Sequence, residues 1–143
     1  IETFAIVDWL EETAPEGLNM LPPSGAPRRK MLQELAYANG VAEKGVALVY
    51  DRNRRPPELH WTEWIARLEG QIQGGLGAME AHAPESGWMG GDRPMISDIA
   101  FVIARDFINA TNPHLLEPGY PKLQALAERA GALPAFAETA PEG

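Results

Sequence analysis

An all-α fold is predicted for this chain by three features. Apolar residues recur at helical spacing in five separate segments. Clusters of Pro and Gly separate those segments. No run alternates apolar and polar residues over a useful strand length, and no internal repeat is visible. The chain has 143 residues, 45% of them hydrophobic and 22% charged, which suits one globular domain with room for one core.

The first element is "IETFAIVDWLEETAPEG". Ile6, Trp9 and Leu10 recur at helical spacing with Glu11 and Glu12 facing outward, and Pro15 and Gly17 stop it. "LNMLPPSGAP" follows as a linker without periodicity, and Pro27 suits a first helical turn. A second helix is predicted over about 27–51, with Met31, Leu35, Ala38, Ala42, Val46 and Val49 on its face. Leu32, Val41 and Leu48 widen that stripe, and "RPP" at 55–57 ends the helix.

A third helix is predicted over about 59–82, with Trp61, Trp64, Ile65, Leu68, Ile72, Leu76 and Met79 in line. Gly70, Gly74, Gly75 and Gly77 interrupt it, each at a cost of about 1 kcal/mol relative to Ala. Either a neighbouring helix approaches closely or this helix is locally weak. "APESGWMGGDRP" is a loop. A fourth helix, about 96–110, places Ile96, Ile99, Ala100, Ile103, Ala104, Phe107 and Ile108 on one face and Phe101 and Val102 on another. Apolar nearly all round, it should be central. "NPHLLEPGYP" connects it to a fifth helix, about 120–130, carrying Leu123, Leu126 and Ala127. Gly131 fits a left-handed stop, and a last short turn holds Leu133 and Phe136.

Composition excludes several classes. The formal net charge is −8, which argues against a nucleic-acid partner. Arg52, Arg54 and Arg55 form the one basic knot, read as a solvated helix C-terminus rather than a phosphate site. There is no cysteine, which excludes disulfides and thiolate chemistry within the chain and fits a reducing compartment. A cytoplasmic location is expected. No run of apolar residues reaches membrane-spanning length, so no membrane partner is expected. His60, His82 and His114 lack metal-ligand spacing, are read as surface or boundary residues, and leave no metal site predicted. Trp61, Trp64 and Trp88 are read as core rather than as ligand stackers.

The start of the fourth helix has an odd cap. Met95 occupies the position that Ser, Thr, Asp or Asn normally holds, yet Asp98 stands three residues on, as in the far half of a capping box. Asp98 is therefore predicted to be a structural acid that accepts the exposed amide of residue 95. Met95→Thr is predicted to stabilise the domain by roughly 1 kcal/mol.

That segment, "WMGGDRPMISDIAF", resembles the capping segment of the glutathione transferase C-terminal domain. Gly91, Asp92, Ile96 and Asp98 match its pattern, whereas Met95 replaces a usual Ser or Thr and Ser97 a usual Ala. "YPKLQALAERAGALPAFAET" resembles the closing helix of that family, and "LPPSGAPRRKMLQELAYANGVAEKG" its inter-domain linker and first C-terminal helix. "IETFAIVDWLEE" resembles the last motif of the family's thioredoxin-like domain.

The resemblance divides the chain into 1–14, the last helix of a thioredoxin-like domain; 15–26, a linker; and 27–143, a C-terminal-type helical bundle. It implies that Glu2 and Thr3 belong to a glutathione site, where free amides at a helix start hold the γ-glutamyl carboxylate. It places Glu43, Lys44 and Ala47 at a pocket for a hydrophobic small-molecule electrophile, with glutathione as co-substrate and a homodimer as the assembly. The first residue is Ile, and the bulk of the first domain, with the thiol-activating residue, is expected to precede it. No catalytic residue is then expected within this chain, which alone should be inactive. The alternative is a non-catalytic helical module that binds a partner or ligand.

Overall fold

The computed structural model describes residues 3–139 and contains six α-helices among them. They are α1 (Thr3–Thr13), α2 (Gly25–Arg54), α3 (Thr62–His82), α4 (Ile96–Thr111), α5 (Pro121–Gly131) and α6 (Pro134–Thr139). Short 3-10 turns at Pro57–Leu59 and Pro113–Leu116 lead out of α2 and α4. No strand forms among the described residues; one isolated bridge pairs Trp88 with Gly91.

The all-α prediction holds, and the helices fall where periodicity put them. The ends differ. α2 begins at Gly25 and runs to Arg54, because the Pro residues that stop it lie at 56 and 57 and Pro27 fits inside its first turn. α3 starts at Thr62, since Pro57–Leu59 closes into a separate turn. Gly131 is not left-handed; it is the last residue of α5, and the chain passes through Ala132 in a right-handed conformation into α6.

α2 is the spine. It packs along α3 on one side and α4 on the other, and α5 closes over α4 and α3. The core between them holds Leu48, Leu68, Ile72, Leu76, Met79, Phe101, Ile108, Leu123 and Leu126, all essentially sealed from water. Each side chain of this size buried contributes roughly 1.5–3 kcal/mol. Two glycines let the spine pass. A Cβ on Gly45 would stand 2.7 Å from Ile108 and 2.8 Å from Phe107 of α4. A Cβ on Gly75 of α3 would collide with Val41 of α2. Gly70, Gly74 and Gly77 meet nothing and lie on the solvent side of α3. Close approach thus explains one of the four α3 glycines, and the other three only weaken the helix.

Several predicted faces are corrected. In α4 the buried line runs through Ser97, Asp98, Phe101, Ala104 and Ile108, while Ile103 is 58% exposed. Because apolar residues fill α4 nearly all round, periodicity could not choose between neighbouring faces. In α2, Leu32 and Val46 point to solvent. Trp61 is 60% exposed and Trp64 37%, because Trp61 precedes the helix and Trp64 sits beside the Leu68–Ile72–Leu76 line rather than on it. Trp88 does pack against the core. In α1, Ile6, Trp9 and Leu10 are exposed and Glu11 turns inward to the linker, whereas Glu12 faces outward as expected.

Candidate functional site

The start of α4 is a buried polar site built around Asp98. Met95 takes an extended backbone at the N-cap, and Ile96 opens the helix. Asp98 Oδ2 accepts the Met95 amide at 2.8 Å, as predicted. Its other oxygen, Oδ1, accepts the Met89 amide at 2.9 Å. One buried carboxylate therefore closes the helix end and also ties down the preceding loop. Burial pushes the Asp98 carboxyl above its ordinary value; the Met89 and Met95 amides hold it down in part, and nearby Glu34 pushes it further up. The Met95 side chain lies over Gly90, where a Cβ would collide with it. The neighbouring Ser97 hydroxyl is buried without a hydrogen-bond partner.

Glu34 reaches this region from α2. It is sealed from solvent, with Lys30 at 3.7 Å and His82 of α3 at 3.4 Å. Tyr37 stacks at a tilt on the His82 ring. At the opposite end of α2, Arg52 pairs with Glu69 of α3 and donates to Asn112 Oδ1 at 3.1 Å. His114 meets the same Glu69 oxygen at 3.1 Å. Arg55 pairs with buried Asp51 at 2.9 Å. Arg54 and Arg55 remain exposed at the helix C-terminus, as expected, while Arg52 and Arg55 also pair within the fold. His60 contacts the Arg55 carbonyl at 3.0 Å, so each histidine has a separate partner. Among the described residues no group of three or more His, Cys, Asp or Glu is arranged to hold a metal.

The residues singled out for ligand binding are more dispersed. Glu2 lies outside the described residues. Thr3 opens α1 and is exposed. Glu43 is on the solvent side of α2, where its Oε1 accepts from Asn39 at 3.0 Å. Ala47 stands one turn on from Glu43 and packs against the edge of the core; Lys44 is half-buried on an adjacent face.

Two hollows open elsewhere on the described surface. One, of about 290 Å³, lies between Arg105 of α4 and Tyr120 and Gln124 at the start of α5. The other, about 360 Å³ and largely apolar, lies beside α1, between Val7, Leu10, Leu18, Met20 and Ile96. Neither is lined by Glu43, Lys44 or Ala47.

Sequence reasoning missed two further carboxylates that act on backbone amides from a distance. Glu80 of α3 accepts the Lys122 and Leu123 amides, both at 3.0 Å, and so caps α5 from another helix. Burial together with the Glu80 charge pushes the Tyr120 phenol upward. Glu11 of α1 does the same for the linker, taking the Met20 amide at 2.7 Å and the Leu21 amide at 3.1 Å. No local motif marks either acid, because donor and acceptor lie far apart in sequence. Tyr120 and Pro121 in place of a polar N-cap were the only local sign that α5 needed a cap from elsewhere.

Residues 62–129 match the family model described as the glutathione S-transferase C-terminal domain. A search of curated protein sequences found no significant match. A glutathione S-transferase from Methylobacterium radiotolerans, solved in complex with glutathione sulfonate, aligns with a TM-score of 0.89 at 26% identity, over 100% of this chain and 67% of that one. A glutathione transferase family member from Pseudomonas fluorescens Pf-5, solved with S-(propanoic acid)-glutathione, shares the fold with a TM-score of 0.89 at 24% identity, over 100% of this chain and 72% of that one. A glutathione S-transferase from Methylobacillus flagellatus KT, solved with glutathione, shares it with a TM-score of 0.88 at 22% identity, covering 99% and 70%. Residues 62–129 thus match a glutathione S-transferase C-terminal domain, and the chain as a whole is similar in fold to glutathione transferases.

Proposed function

We propose that this chain is the C-terminal part of a transferase that conjugates glutathione to a hydrophobic electrophile. The observation that carries the proposal is the match of 100% of this chain, at 26% identity, to a glutathione S-transferase solved with glutathione sulfonate. On this proposal residues 1–14 form the last helix of a thioredoxin-like domain, 15–26 the linker and 27–143 the bundle. The first-turn amides of α1, with the Thr3 hydroxyl and Glu2, hold the γ-glutamyl end of glutathione, whose carboxylate suits the positive end of the helix. Glu43, Lys44 and Ala47 of α2 face the electrophile. The glutathione thiol loses its proton, its sulfur forms a bond to the electrophilic carbon, and the leaving group departs with the electron pair. We assign no catalytic residue to this chain. The working protein is a cytoplasmic homodimer that serves detoxification.

The test is turnover of glutathione with a chromogenic aryl halide. The full-length protein should release halide and form the thioether; the 143-residue chain alone should not. Absence of turnover by the full-length protein with aryl halides, epoxides and hydroperoxides would overturn the proposal. One observation favours a second reading, a non-catalytic ligand-binding or interaction module: a largely apolar hollow of about 360 Å³ lies beside α1, between Val7, Leu10, Leu18, Met20 and Ile96. Full-length protein that binds glutathione or a small apolar ligand without turnover would support it.

A further inference from the structure

α1 poses a mechanical problem. It buries no residue, and no other helix packs broadly on it. Its apolar side chains Ile6, Trp9 and Leu10 face solvent. Only Phe4 and Val7 among its apolar side chains are half-buried, so hydrophobic packing within this chain holds it weakly and polar contacts supply the rest.

Those contacts converge on Glu11. Its carboxylate takes the adjacent Met20 and Leu21 amides at 2.7 and 3.1 Å, and its backbone carbonyl accepts Asn19 Nδ2 at 2.8 Å. Charge-assisted bonds of this kind are the strong ones. The only other direct tie among the described side chains is Arg28 of α2 to Asp8 at 3.3 Å, and Asp8 is largely exposed, so that pair is weak.

The segment that Glu11 grips is itself fixed. Leu21 is buried at 4% exposure. The Met20 carbonyl accepts the Ile96 amide at 3.1 Å, and Arg93 donates to the Asn19 carbonyl. Ile96 begins α4, whose start is held by Asp98. An unbroken series of hydrogen bonds thus runs from α1 through Glu11 and the linker into the core helix.

We infer that Glu11 is a positioning residue: its clasp on the Met20–Leu21 amides sets where α1 stands on the bundle. The consequence for chemistry rests on the transferase proposal above. There, glutathione is held at the start of α1 and the electrophile on α2, so the sulfur-to-carbon distance depends on how these two helices are joined. A misplacement of about 1 Å costs on the order of 100-fold in rate. Glu11 touches neither substrate, so its loss should act on turnover rather than on binding.

The test uses the absence of cysteine in the chain. Spin labels on Glu12→Cys and Ala36→Cys, both exposed positions, report the α1–α2 distance. The parent should give one narrow distribution. Glu11→Ala should broaden it while far-UV circular dichroism and the urea midpoint of the bundle stay unchanged. Glu11→Gln, which keeps one acceptor, should restore it in part. An unbroadened distribution in Glu11→Ala overturns the inference.

In the full-length enzyme, Glu11→Ala should lower kcat about 10-fold with both KM values within about 2-fold, since orientation rather than affinity is lost. A lost clasp with unchanged kcat overturns the role in the reaction. If the wild-type protein shows no turnover, the transferase proposal falls, and the distance measurement alone still decides whether Glu11 holds α1.

Discussion

Removing the Asp98 carboxylate gives the sharpest test of how the bundle is held. Asp98 is fully buried and takes two backbone amides, Met95 at 2.8 Å and Met89 at 2.9 Å. Asp98→Ala leaves both donors without a partner. Each buried unsatisfied group costs about 1–3 kcal/mol. Relief of the buried charge offsets part of that, so a net loss of about 2–4 kcal/mol is expected. Asp98→Asn keeps one acceptor but turns an NH₂ toward the second amide, and should lose about 1–2 kcal/mol.

The pH dependence has a definite sign. Burial raises the folded-state pKa of Asp98 above its ordinary value. Ionisation therefore costs more in the folded protein than in the unfolded chain. This group's contribution is fully present below the unfolded pKa and is lost as pH rises through the folded pKa. In urea titrations, the stability gap between wild type and Asp98→Asn should narrow from acid toward neutral pH. A loss below about 1 kcal/mol in Asp98→Ala, or a gap that widens with pH, would refute the reasoning.

Four further substitutions separate packing from propensity and local from distant capping. Gly75→Ala drives a methyl into Val41 and should cost about 1–3 kcal/mol, whereas Gly74→Ala, which meets nothing, should gain up to about 1 kcal/mol; thermal melts of the pair would expose a wrong assignment if the two shifts matched. Glu80→Ala should cost about 1–3 kcal/mol and speed hydrogen exchange at Lys122 and Leu123 with little change in α2. Met95→Thr gains a hydroxyl cap worth about 1 kcal/mol but gives up the contact over Gly90, so the net gain should fall below that figure; a drop in melting temperature would mean the apolar contact outweighs the cap.

The helices themselves were legible in the sequence. Apolar spacing located α2 to α5, and Pro residues marked most of their boundaries, because helix period and proline geometry are local properties of the chain. The role of Asp98 toward Met95 was legible for the same reason: donor and acceptor are three residues apart. The tertiary structure alone decided which face is buried when a helix is apolar all round, as Phe101 against Ile103 shows. It alone separated Gly75, pressed on Val41, from Gly74, which meets nothing. Glu11 and Glu80 each read as an ordinary surface acid until the fold brought the amides of residues 20–21 and 122–123 to them. Local sequence sets periodicity and stops, whereas the partner of a side chain that reaches across the fold is chosen only when distant segments meet.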